Sequence, residues 1–199
     1  MSTGTKGDNW FLFEALKTLG DAIPEATRQK MSLISGLGLV VHGMPRKTED
    51  INFAVPGPDV LDEIFSALEG ATDFVVKREY GMILYYLGGR GGDNIEIGVD
   101  VLITGFGSFS GAVFQPEQGF CLLSLYDMLI AKARAAAERD SNRDYTDLRW
   151  IVNMMVEKSV VIEHEQVTAD FYVDMGDVLR AWPQEGLREM LHTIGIVNV

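Results

Sequence analysis

Asp50-Ile51-Asn52-Phe53-Ala54-Val55 is stopped at once by Pro56-Gly57-Pro58. Six residues bounded in this way are too few for an amphipathic helix and suit a strand. Period two then puts Asp50 and Asn52 on one face and Ile51 and Phe53 on the other. Upstream, the apolar run Met31 to Ser35 passes without a linker into Gly36-Leu37-Gly38-Leu39-Val40-Val41 and ends near Gly43-Met44-Pro45. That pattern predicts a buried strand turning directly into a short helix. A polar-faced strand so soon after a strand-to-helix turn confines the chain to the α/β class.

The other elements follow by periodicity. Trp10, Phe11, Leu12, Phe13, Leu16 and Leu19 predict an opening amphipathic helix, capped by Asp8 or Asn9 and closed by Gly20 and Pro24. A helix is expected over Val60–Leu68, and strands over Phe74–Lys77, Met82–Leu87 and Ile95–Ile103, the last two joined by the loop Gly88–Asp93. Beyond, helices are expected over Leu123–Arg139, Arg143–Val156, Gln166–Val173 and Gly176–Leu191. The expected architecture is a small mixed β-sheet flanked by helices, with a helical C-terminal part. Residues 1–29 form the N-terminal helix packing on the core, 30–115 the α/β core and 116–199 the helical part.

Charge narrows the partners. The 199 residues carry 17 Lys and Arg against 29 Asp and Glu, a net charge of -12. Such a field repels phosphate backbones, so extended nucleic acid is not the expected partner. The single cysteine, Cys121, excludes an internal disulfide and reads as a buried, inert thiol of a reducing compartment. No run of about 18 apolar residues or signal-peptide pattern occurs, so a cytoplasmic protein without a membrane span is expected.

Several other motifs fail on their own chemistry. Gly36-Leu37-Gly38 has Val41 where a dinucleotide fingerprint needs its third glycine. The glycine-rich stretch Gly105–Gly111 lacks the Gly-Lys-Ser/Thr ending of a P-loop and reads as a connection or lid. His42, His164 and His192 are too scattered for a zinc site, and no Gly-x-Ser-x-Gly elbow is present.

Taken together, Ile34–Gly43 and Pro45-Arg46-Lys47-Thr48-Glu49-Asp50-Ile51-Asn52-Phe53 resemble the nucleotidyltransferase superfamily of the DNA polymerase beta type, and within it the small AbiEii-like proteins. Val99-Asp100-Val101-Leu102 resembles the strand that brings that family's third carboxylate. Lys132, Arg139, Asp144, Asp147 and Leu148 resemble its helical signature. The resemblance covers roughly residues 30 to 155, in the family's order.

The resemblance implies Mg2+-dependent transfer of a nucleotidyl group from an NTP to an unknown acceptor. Asp50, Asn52 and Asp100 stand at the catalytic positions, and Asp50 and Asp100 are the metal ligands. Ser35, Gly36, Arg46, Thr48 and Lys132 are the implied nucleotide-binding residues. Carboxylate oxygens suit a hard divalent ion that clamps the attacking and leaving oxygens of an in-line displacement. Two departures weaken that implication. Asn52 stands where the family has its second acid, and Ser35-Gly36 replaces the usual Gly-Gly or Gly-Ser turn.

Glu96, four residues before Asp100, is a candidate replacement for the missing charge. The alternative is a pseudo-nucleotidyltransferase that binds a nucleotide or a protein partner, or a fold repurposed for another small-molecule reaction. A repurposed pocket is expected to be lined by Phe53, Met82 and Tyr85. The structural alternative for Lys132, Arg139, Asp144 and Asp147 is a buried charge network fixing the helical part to the sheet.

Overall fold

In a computed structural model, residues 9–78, 82–87, 95–103, 119–139, 141–163, 167–182 and 186–196 are described, with Met82 and 84–87 described in their backbone alone. The chain forms two compact units, Met1–Leu123 and Ser124–Val199.

The first unit runs α1 (Trp10–Ala22), α2 (Glu25–Arg28), β1 (Ser32–Ile34), α3 (Ser35–Val41), β2 (Asp50–Val55), α4 (Pro58–Leu68), β3 (Phe74–Lys77), β4 (Met82–Leu87), β5 (Ile95–Ile103) and β6 (Cys121–Leu122). Its six strands form one mixed sheet in the order β3-β4-β5-β2-β1-β6. β2 is antiparallel to β1 and parallel to β5, while β4 is antiparallel to both β3 and β5. Helices α1, α3 and α4 pack on this sheet.

β2 is buried throughout after Asp50, so its burial does not alternate as predicted, although the predicted apolar face is in the core. Ile51, Phe53 and Val55 are fully buried, as are Ile97 and Val99 on β5. The Phe53 ring lies against Phe120 at 4.9 Å between centroids. Phe53 therefore belongs to the core and does not line a pocket, contrary to expectation: as an odd residue of β2 it shares the face of Ile51, opposite Asp50 and Asn52.

Three local expectations are corrected. Asn9 precedes α1 but gives it no side-chain cap; its amide bonds instead to the backbone of Arg46 and Thr48. Asp8, the other cap candidate, and the loops Gly88–Asp93 and Gly105–Gly111 lie outside the described residues. Strand β6 escapes sequence reading because two residues carry no periodicity; it is recruited by β1, with the Cys121 N–H donating to Met31 C=O at 2.9 Å. Cys121 is half-buried rather than buried, and its thiol, pushed up by burial, lies 3.0 Å from the Gln29 carbonyl oxygen.

The second unit contains α5 (Leu125–Arg139), α6 (Asn142–Glu157), α7 (Ala169–Ala181) and α8 (Leu187–Thr193). Ser124 opens α5, its hydroxyl accepting from the Asp127 N–H at 3.1 Å while donating to the Asp127 carboxylate at 2.7 Å. The helix break expected before Gly176 does not exist. A lone glycine costs a helix interior only about 1 kcal/mol, which the packing of Phe171, Met175, Val178 and Leu179 outweighs. The helix runs on to Ala181 and ends at Trp182, and α8 begins after Gly186, whose φ of 86° suits glycine.

Between α5 and α6 the Lys132 ammonium meets Asp144 at 2.8 Å and Asp147 at 2.7 Å. All three side chains are nearly dry, at 12%, 8% and 2% exposure, so each charge depends on the others. Arg139 forms no ion pair among the described residues. Replacing Lys132 by Ala leaves two buried carboxylates facing one another, and chemical denaturation of that variant is expected to show a loss of about 3–5 kcal/mol.

Candidate functional site

Register decides which polar residues meet. On β2 and β5, Asp50 stands beside Gly98 and Asn52 beside Asp100; on the other side, Asn52 stands beside Ile34 of β1. Neighbouring strands lie about 4.8 Å apart, so Asn52 and Asp100 are direct neighbours and Asp50 and Asp100 are diagonal ones. Gly98 places no side chain opposite Asp50, and the space where its Cβ would stand is open.

Asn52 is 9% exposed, whereas Asp50 and Asp100 are half-buried. The Asp100 carboxyl is held above the usual carboxylate range, first by burial and second by the charge of Asp50. The two acids thus sense one another electrostatically.

Ile34, beside Asn52, leads straight into the turn. Ser35 occupies left-handed backbone at φ 55°, a conformation that favours glycine, and opens the seven-residue helix α3, with Gly36 its second residue. A Cβ on Gly36 would lie 2.3 Å from Thr48 Oγ1 and 3.4 Å from an Arg46 guanidinium nitrogen. The turn is therefore built against the 46–48 segment and tolerates no side chain at 36. Thr48, 2% exposed, donates its hydroxyl to Asp50 Oδ1 at 3.1 Å.

Of the residues expected at the site, Ser35, Gly36, Arg46, Thr48, Asp50, Asn52 and Asp100 all belong to the first unit. They adjoin through the register and contacts just given. Lys132 belongs to the second unit, where Asp144 and Asp147 engage its ammonium. Glu96 is exposed and lies four residues from Asp100, about 13 Å along β5. At that distance it supplies no ligand beside Asn52. Sequence reading missed Asn9, whose only signal was an amide next to a helix start, equally the signal of a cap.

The family model of the nucleotidyl transferase AbiEii toxin of type IV toxin-antitoxin systems matches residues 36–193. The chain belongs to this nucleotidyltransferase family. Solved structures share its fold. An antigenic nucleotidyltransferase-like protein from Paracoccidioides brasiliensis is 18% identical with a TM-score of 0.63, the match covering 90% of this chain and 93% of that one. JHP933 from Helicobacter pylori is 15% identical with a TM-score of 0.58, covering 98% and 90%. No curated protein matches the chain in sequence. Among the described residues, no helix of this family member is long and apolar enough to cross a membrane.

Two substitutions probe the site without any ligand. Gly36→Ala drives a methyl into Thr48 and is expected to cost about 1–3 kcal/mol in denaturant titration. For Asp100, a folded pKa above the unfolded one makes the ionised carboxylate a liability. Stability is therefore lost as pH rises from the ordinary carboxylate range through the raised folded value. Asp100→Asn is expected to raise Tm near pH 7, by about 1–2 °C for a partly solvated group. The gain should vanish near pH 3, where both forms are neutral.

Proposed function

We propose that the face of β2 and β5 beside the Ser35-Gly36 turn binds an NTP and transfers its nucleotidyl group, with Mg2+, to an acceptor hydroxyl. The observation that carries this reading is the convergence of Asp50, Asn52 and Asp100, in register, next to a turn bordered by Arg46 and Thr48. Backbone N–H groups at the turn and the Arg46 guanidinium supply donors for phosphate oxygens. In the transfer, the acceptor oxygen bonds to the α-phosphorus as the bond to the bridging β-phosphate oxygen breaks and pyrophosphate leaves. The acceptor's proton passes to the Asp100 carboxylate, which stands beside Asn52 in the register.

The donor set tests the metal. Asp50, Asp100 and the Asn52 carbonyl are hard oxygen donors, fitting Mg2+ by ligand type. Their combined charge is two rather than three, and among the described residues no group of three His, Cys, Asp or Glu is arranged to hold a metal. When bound, Mg2+ would supply charge neutralisation at the triphosphate. Asp50 and Asp100 would hold it, while Arg46 and the turn orient the nucleotide.

The acidic balance directs the acceptor towards a protein or small molecule and away from extended nucleic acid. We place this activity in the cytoplasm, and an active site would make the chain the toxin of a type IV pair, the role by which its family is described. Asn52 favours a second reading, a pseudo-nucleotidyltransferase that holds a nucleotide or a protein partner without metal chemistry, or a pocket reused for another small-molecule reaction.

Calorimetric titration with non-hydrolysable NTP analogues, with and without Mg2+ or Mn2+, separates the two. Transfer predicts that wild type binds only with metal, that Asp50→Ala abolishes binding, and that Asn52→Asp tightens it by at least about tenfold. A silent wild type with binding restored by Asn52→Asp selects the second reading.

A further inference from the structure

Asn9 occupies the position of a helix cap, yet none of its side-chain atoms caps α1. The residue is fully buried, and both ends of its amide are committed far along the chain. Nδ2 donates to the Arg46 carbonyl at 2.9 Å, and Oδ1 accepts from the Thr48 N–H at 3.1 Å. A carbonyl and an N–H flanking one residue, here Lys47, are the groups that a residue of a neighbouring parallel strand would bridge. The asparagine amide supplies that donor and acceptor from a single side chain. Asp lacks the donor, Ser is too short to span both groups, and Gln is longer by a methylene.

What the clamp holds is the segment that shapes the candidate site. Thr48 is buried against Gly36, and its hydroxyl donates to Asp50 Oδ1 at 3.1 Å, a bond strengthened by the carboxylate charge. We propose that Asn9 is a positioning residue for Asp50, acting from the N-terminal helix through the 46–48 backbone and the Thr48 hydroxyl. Its use to ligand binding rests on the reading of the Asp50 face as an NTP and metal site; its effect on the Asp50 carboxylate does not.

The test therefore reads Asp50 first, in the ligand-free full chain, from its carboxylate carbon-13 resonance and from hydrogen exchange at the Thr48 amide. Wild type is compared with Asn9→Ala, Thr48→Val, the double variant and Leu16→Ala, which loosens the buried face of α1 without touching the clamp. The expected result is an Asp50 shift in Asn9→Ala and in Thr48→Val but not in Leu16→Ala. The double variant should move no further than the larger single one. Thr48 exchange should speed by about tenfold or more in Asn9→Ala, the loss of about one hydrogen bond, with β5 amides unchanged. An Asp50 resonance unmoved by Asn9→Ala, or moved equally by Leu16→Ala, overturns the proposal.

If Asn9→Ala does not fold, Asn9→Ser takes its place, because serine caps α1 while failing to span the clamp. Titration with Mn2+ and α,β-methylene ATP then follows. A Kd about tenfold weaker in Asn9→Ala supports the assignment, and a wild-type Kd in that variant overturns it. A wild type that binds neither probe removes the NTP reading, while the Asp50 resonance still decides the role of Asn9.

Discussion

The parallel pairing of β2 with β5 is the constraint on which the rest of the first unit depends. In a strand the side-chain period is two, so a slip of one residue would carry Ile51, Phe53 and Val55 to the opposite face and turn the half-buried Asp50 into the core in their place. The apolar face therefore locks the register. The same register sets Asn52 beside Asp100 and Gly98 beside Asp50. The candidate surface is thus aligned by packing on the opposite side of the sheet. The antiparallel neighbour β1 adds the turn at Ser35, because Ile34 pairs with Asn52 and the chain leaves the sheet at the next residue.

Electrostatics and metal chemistry pull in opposite directions on this surface. Asp50 already raises the pKa of Asp100 across the strands. An acid at 52, directly beside Asp100 and on the same face, would add a third negative charge with no bound cation to balance it. The neutral amide removes that repulsion and keeps an oxygen donor, at the expense of affinity for a divalent ion. On the proposed metal reading, the neutral residue is therefore favourable to the empty fold and unfavourable to the bound one. Backbone strain at Ser35 and the close approach of Gly36 to Thr48 place a further demand on the same few residues.

Much of this was legible in the residue pattern because the signals are local. The β2 faces, the strand-to-helix turn and the strands through Ile103 follow from alternation and from breakers such as Pro56-Gly57-Pro58. Where reading failed, a distant partner decided. Asn9 has the chemistry of a cap, but a segment 37 residues away offers its amide two backbone groups instead of one. β6 exists only because β1 has an open edge, and Gly176 stays helical because its neighbours are buried. Phe53 is equally suited by type to a pocket or a core, and only the sheet's orientation selects the core.

Order and spacing along the chain were enough to establish the α/β class, the family resemblance, the neutral residue at 52 and the acidic balance. Each depends on residue type or on neighbours a few positions apart. Tertiary structure alone decided that Asp100 stands beside Asn52 while Glu96 is too far along its strand. It also decided that Lys132 is engaged by Asp144 and Asp147, and that the Asn9 side chain bonds to the Arg46 and Thr48 backbone rather than capping its own helix. Those outcomes turn on strand register and on buried hydrogen-bond partners brought together across long stretches of sequence, where desolvation makes the choice of partner decisive.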